Sequence, residues 1–152
     1  MKTIVQLTVL ILAVVLVAGV SFAQFAKTED AIKYRKSVMV LIVTHFKRMG
    51  AVVQGKADYD KQAFAANAEV VKMMATLPWE ASLAPGSDKG DTTLSPDVFS
   101  KEDDFRKIAA TFEAETAKLA ATAMEGDFDA IKAQFGGVGK SCKSCHDDYR
   151  SR

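Results

Sequence analysis

The chain has 152 residues, with 20 basic side chains against 19 acidic ones and a formal net charge of +1. A balance this close to neutral, without a run of like charges, excludes nucleic acid as a partner, because that partner needs a clustered basic surface. Hydrophobic residues make up 49% of the chain, which is enough for a single buried core in one domain.

Lys2 gives a minimal positive region, Ile4 to Val20 is an apolar run, and Ser21-Phe22-Ala23 puts small residues at the two positions a signal peptidase reads. Residues 1–23 therefore read as an export signal that is removed. The run approaches the length of a membrane span, but the small-x-small site and the lack of a flanking basic stop favour cleavage over an anchor. Cleavage of 23 residues from 152 leaves 129, a single domain over 24–152 with 19 basic and 19 acidic side chains and no membrane segment.

The spacing then predicts four helices. The first runs from Thr28, as N-cap, to Val53 before Gly55, with Glu29 and Asp30 in its first turn. Ile32, Arg35, Met39, Ile42, Phe46 and Met49 recur at three and four and mark one face. Val38 to Val43 is apolar without interruption, so this helix must be covered on a second side as well. The second helix spans Asp60 to Leu77, carrying Phe64, Ala68, Val71 and Met74, and Pro78 is expected to end it. An irregular stretch from Pro78 to Phe99 holds every proline of the chain, with Trp79 and Leu83 expected to tuck it against the core.

The third helix covers Lys101 to Met124, with Phe105, Ile108, Phe112 and Leu119 inward and Gly126 closing it. The fourth starts near Asp127 and carries Ile131, Phe135, Val138, Cys142, Cys145 and Tyr149 on one stripe. Gly136, Gly137 and Gly139 lower its helix propensity and suggest a close approach or a distortion. No β pattern and no internal repeat is present.

Cys142-Lys143-Ser144-Cys145-His146 is a C-x-x-C-H pattern, in which both sulfurs join the vinyl groups of a haem and the histidine ligates its iron. On a helix, residues three and four apart share a face, so Cys142, Cys145 and His146 reach one macrocycle edge. A disulfide or thioredoxin-like pair would sit where a strand feeds a helix. Zinc would want four ligands, and the only other histidine, His45, lies far upstream. Thioether attachment of haem takes place outside the bacterial inner membrane, so the export signal and the motif support one another and point to the periplasm. With both cysteines committed, no disulfide braces the fold.

Four helices, a first helix reading Lys33-Tyr34-Arg35-x-x-x-Met39 and a terminal C-x-x-C-H-x-x-x-Arg together resemble the cytochrome c′ family over residues 24–152. The resemblance implies an all-α, antiparallel up-down-up-down four-helix bundle with one covalent haem c per chain. It also implies a homodimer, here through the first helix, and a periplasmic location. By position, Cys142 and Cys145 hold the haem and His146 is the proximal iron ligand. Arg150 matches the family's basic residue beside that ligand, and Arg35 its propionate contact, consistent with the cost of an arginine on an apolar face unless it meets an anion. Lys36 stands where the family often has glutamine and offers a mobile point charge to a propionate. Asp91 lies where the family brings polar groups to the haem edge, although a turn residue would look the same. His45 and Trp79 read as structural.

Two functions follow from the resemblance. In one, an apolar pocket over a five-coordinate iron binds NO and CO, for gas trapping or NO tolerance, with Met39 as a steric gate. In the other, Met39 is the sixth ligand of a low-spin electron carrier of cytochrome c-556 type, working with a redox partner protein. No acid, base or nucleophile constellation suggests an enzyme.

Overall fold

The computed structural model describes residues 24–151; the expected signal segment, residues 1–23, lies outside the described residues. Six helices are present among them: α1 Thr28–Val53, α2 Lys61–Met74, α3 Pro78–Ser82, α4 Asp97–Ser100, α5 Glu102–Glu125 and α6 Phe128–Tyr149. The four long ones form the antiparallel bundle: α1 packs on α2, α2 on α5, and α5 on α6. The short α3 and α4 are helical turns within the connection between α2 and α5, which the sequence reads as wholly irregular.

Local chemistry explains most of the boundaries. Asp60 caps α2 by accepting the Ala63 N–H at 2.7 Å, and Asp127 caps α6 by accepting from Asp129 and Ala130. Gly126 closes α5 in the left-handed conformation, φ 88°, with its N–H on the Thr122 carbonyl. Thr28 is not the N-cap of α1. Lys27 takes that place, and the Thr28 hydroxyl instead donates to the Pro85 carbonyl at 3.2 Å, tying the helix start to the long connection. Pro78 does not end the second helix either, because α2 stops at Met74. Pro78 opens α3 at its first position, where a missing N–H costs nothing and the fixed φ suits a helix.

The main core gathers Val38, Ile42, Met49, Phe64, Val71, Phe112, Leu119, Ile131 and Val138 from all four long helices. Each large apolar side chain buried there contributes about 1.5–3 kcal/mol. A second, smaller cluster of Val98, Phe105 and Tyr149 sits at the end of the bundle where α6 finishes, with Trp79, Leu83, Leu94, Ile108 and Cys145 against it. Trp79 and Leu83 thus anchor the connection as expected, the indole meeting Phe105 and Phe112 edge-on with centroids 5.9 and 6.0 Å away.

The glycines of α6 do not distort it; the helix is continuous from Phe128 to Tyr149. A Cβ on Gly137 would come within 2.7 Å of the Glu115 carboxylate, so this glycine leaves room for that side chain, which accepts from Gln134 at 2.7 Å. On the other side, Phe46 of α1 stacks on Phe135 of α6 with centroids 4.1 Å apart.

Candidate functional site

Cys142, Cys145 and His146 occupy the last two turns of α6, and both cysteines are free. Each thiol is half-buried against a different cluster, Cys142 against the main core and Cys145 against the smaller one. Burial pushes the Cys142 thiol up, and burial first, then the charges of Cys142 and Asp148, pushes Cys145 up to about 11. A reactive redox pair needs a depressed thiol pKa, so these two are poor candidates for thiol–disulfide exchange. Among the described residues no group of three or more His, Cys, Asp and Glu side chains converges as a metal site, which leaves zinc without its ligand set. His146 is exposed, and its pKa is lowered by desolvation and then by the Arg150 charge. A neutral imidazole is the form that ligates a metal.

The register between α1 and α6 locates what lies opposite. A Cβ on Gly50 would sit 3.3 Å from Phe135, and one on Gly139 would sit 4.0 Å from Phe46. Carried two turns further along this antiparallel pair, at 1.5 Å per residue on each helix, that register brings Met39 level with His146. Met39 is partly buried and, like Cys142, packs against the main core.

The charged residues assigned to the haem edge have partners within the protein. Arg35 is 6% exposed, and its guanidinium donates to the Ala81 carbonyl at 3.0 Å, the Ser87 carbonyl at 3.0 Å and the Thr92 hydroxyl at 2.7 Å. Carbonyl and hydroxyl oxygens of the long connection therefore help to make this buried cation tolerable. Burial still lowers its pKa. Lys36 and Asp91, both expected at the haem edge, pair with each other at 2.6 Å on the surface. They line an open groove of about 950 Å³ between the outer side of α1, including Ile32, Val40 and Leu41, and the 86–91 loop.

Arg150 follows the last turn of α6, close enough for its charge to act on His146. The backbone at residues 149–151 is paired with the long connection. Leu94 and Arg150 form an antiparallel bridge, the Ser95 N–H donates to the Tyr149 carbonyl at 2.9 Å, and the Ser151 N–H donates to the Thr93 carbonyl at 2.8 Å. Tyr149 is buried, donates to Asp104 at 2.8 Å and meets Phe105 edge-on. This clasp was not read from the sequence; the only hint was the short β-prone run Thr92-Thr93-Leu94 before Pro96.

Two observations test whether these residues fit a haem. The donor set does: two thiols and a histidine on one helix face, bordered by apolar side chains on both sides of the cysteine pair. So does an orphaned polar atom: the Trp79 indole N–H is buried without a partner among the described residues, a state that costs about 1–3 kcal/mol unless a bound group completes it.

Comparison with known proteins agrees. A family model described as Cytochrome C' matches residues 30–150. The chain is 46% identical over 129 residues to cytochrome c' of Alcaligenes xylosoxydans xylosoxydans, covering 85% of this chain and 99% of that one. It is 42% identical over 130 residues to cytochrome c' of Rubrivivax gelatinosus, covering 85% and 100%. Among solved structures, cytochrome c prime from Shewanella frigidimarina superposes with a TM-score of 0.81 at 37% identity, covering 84% of this chain and 99% of that one. A nitric oxide complex of a cytochrome c prime mutant from Alcaligenes xylosoxidans does so at 0.79 and 44% identity, covering 84% and 98%. The carbon monoxide-bound form of another variant of that protein gives 0.79 and 44%, covering 84% and 99%. This chain belongs to the cytochrome c′ family, and Cys142, Cys145 and His146 are its attachment pattern for the family's covalent haem c.

Proposed function

We propose that this protein binds small uncharged diatomic gases, NO and CO, in an apolar pocket on the side of the haem opposite His146. The observation that carries the proposal is the register that brings Met39 level with His146, on a helix face whose neighbours Val38, Ile42 and Phe46 are apolar. A haem held by Cys142, Cys145 and His146 would supply an iron able to bind a small diatomic ligand. Met39 crowds the side opposite His146 and slows entry, and the face offers no hydrogen-bond donor to steady O₂, whereas NO and CO need none. Arg35 cannot serve as that donor while its guanidinium is committed to Ala81, Ser87 and Thr92. That related structures are described as nitric oxide and carbon monoxide complexes supports the same ligand class.

The proposal includes export of residues 24–152 to the periplasm after removal of the signal segment, and assembly as a homodimer through α1. It assigns gas binding and no catalytic turnover. The same register supports a second reading, in which the Met39 sulfur completes the coordination and the protein carries electrons to a redox partner protein. Optical titration of the purified ferrous protein with CO and with NO tests the first. Saturable spectral changes with both gases are expected, and a spectrum indifferent to CO would overturn it.

A further inference from the structure

We infer that the pairing of residues 93–95 with 149–151 holds the Arg150 guanidinium beside His146, and that Thr93 and Tyr149 are thereby positioning residues acting on the haem iron through Arg150. Arg150 stands one turn after His146 and its charge reaches the imidazole, yet it is exposed and has already left the helix, with φ −119° and ψ 116°. A long charged side chain at such a place samples many orientations unless the backbone beneath it is tied down.

Here the backbone is tied from two directions. On one side the long connection supplies an extended partner: Leu94 bridges Arg150, the Ser95 N–H donates to the Tyr149 carbonyl at 2.9 Å, and the Ser151 N–H donates to the Thr93 carbonyl at 2.8 Å. The Ser95 bond satisfies a carbonyl that the end of α6 leaves without a helical partner. That stretch is itself fixed, because the Thr92 hydroxyl accepts the Leu94 N–H at 3.1 Å and Leu94 packs against the cluster of Val98, Phe105 and Tyr149. On the other side the Tyr149 hydroxyl donates to Asp104 of α5 at 2.8 Å. Arg150 Nε then donates to the Thr93 hydroxyl at 3.4 Å, so Thr93 holds both the Ser151 amide and the Arg150 side chain. A cation fixed beside the ligand disfavours the oxidised iron, which carries one more positive charge, and so raises the reduction potential. The same charge on a mobile side chain is screened by solvent and counts for less.

The inference rests on His146 as the iron ligand and not on which gas binds opposite it. A double-mutant cycle on the holoprotein, read as reduction potential, tests it whichever group occupies that opposite side. Ser151→Pro removes the N–H that donates to Thr93 without changing any charge, and Arg150 already has the extended backbone that a following proline requires. Arg150→Gln removes the charge. We expect Arg150→Gln to lower the potential of the parent, Ser151→Pro to lower it by a smaller amount, and Arg150→Gln to have less effect when Ser151→Pro is already present. The Ser95 amide is expected to exchange slowly with D₂O in the parent and about tenfold faster or more in Ser151→Pro. Potential shifts that add independently would overturn the inference, because the pairing would then brace the chain end without acting through Arg150. A potential indifferent to Arg150→Gln would overturn it as well, and so would a Ser95 amide that exchanges freely in the parent.

Discussion

Phe46 stacks on Phe135 with ring centroids 4.1 Å apart and planes 7° from parallel. The pair packs α1 against α6, and the register it sets, continued two turns at 1.5 Å per residue on each helix, would bring Met39 level with His146. A helix that supplies the cofactor's attachment points and a helix that supplies the opposing wall are thus held by packing that touches neither group. The gas-binding proposal depends on this alignment.

Arg35 should matter for stability even where gas binding is not measured. Arg35→Gln removes charged donors from two buried carbonyls and the Thr92 hydroxyl, and hydrogen bonds of that kind contribute about 1.5–3 kcal/mol each. Urea denaturation of the holoprotein should show a loss of about 2 kcal/mol or more, and trypsin should nick the variant faster after the exposed Lys89. Unchanged stability and unchanged proteolysis would mean that the connection is held by something else.

The outer side of α1 should join two copies. Val40, Leu41 and Val43 are 60%, 45% and 44% exposed, a cluster of large apolar side chains on one helix of a single protomer. Sedimentation at micromolar concentration should give two chains, and Val43→Lys should shift the balance toward one. A parent protein that sediments as a monomer would refute the dimer.

Alkaline pH should loosen the end of the bundle through Tyr149. Burial, followed by the hydrogen bond to Asp104, pushes its phenol up to about 12 from an ordinary value near 10. The raised value means that the folded state favours the neutral phenol. Its contribution to stability is complete below about pH 10 and is lost as pH climbs toward 12, where only the unfolded chain ionises at first. Denaturation at pH 9 and at pH 11.5 should show a larger loss for the parent than for Tyr149→Phe. Equal losses would place the Tyr149 phenol in ordinary solvent.

The parts of this molecule that local chemistry dictates were legible in the sequence. The long helices, the Asp60, Asp127 and Gly126 termini and the C-x-x-C-H face all follow from spacing and capping. What escaped depends on partners distant along the chain. The Ala81 and Ser87 carbonyls and the Thr92 hydroxyl that meet Arg35 come from 46–57 residues further along the chain, so its spacing on α1 does not announce them. The pairing of Lys36 with Asp91 likewise joins residues distant in the sequence. Pro78 carries the same φ whether it stops a helix or starts one, so only the earlier end of α2 decides its role.

The central claim is that Met39 stands over the open side of the haem without ligating it. The most direct test is Met39→Ala compared with the parent protein, by ferrous absorption spectrum and by CO association rate. The account predicts a five-coordinate, largely high-spin ferrous spectrum that the substitution leaves nearly unchanged, with CO binding faster by an order of magnitude or more once the thioether is removed, about 1.4 kcal/mol off the entry barrier. A sharp low-spin ferrous spectrum in the parent that collapses in Met39→Ala would contradict it, making Met39 the sixth ligand and the protein an electron carrier.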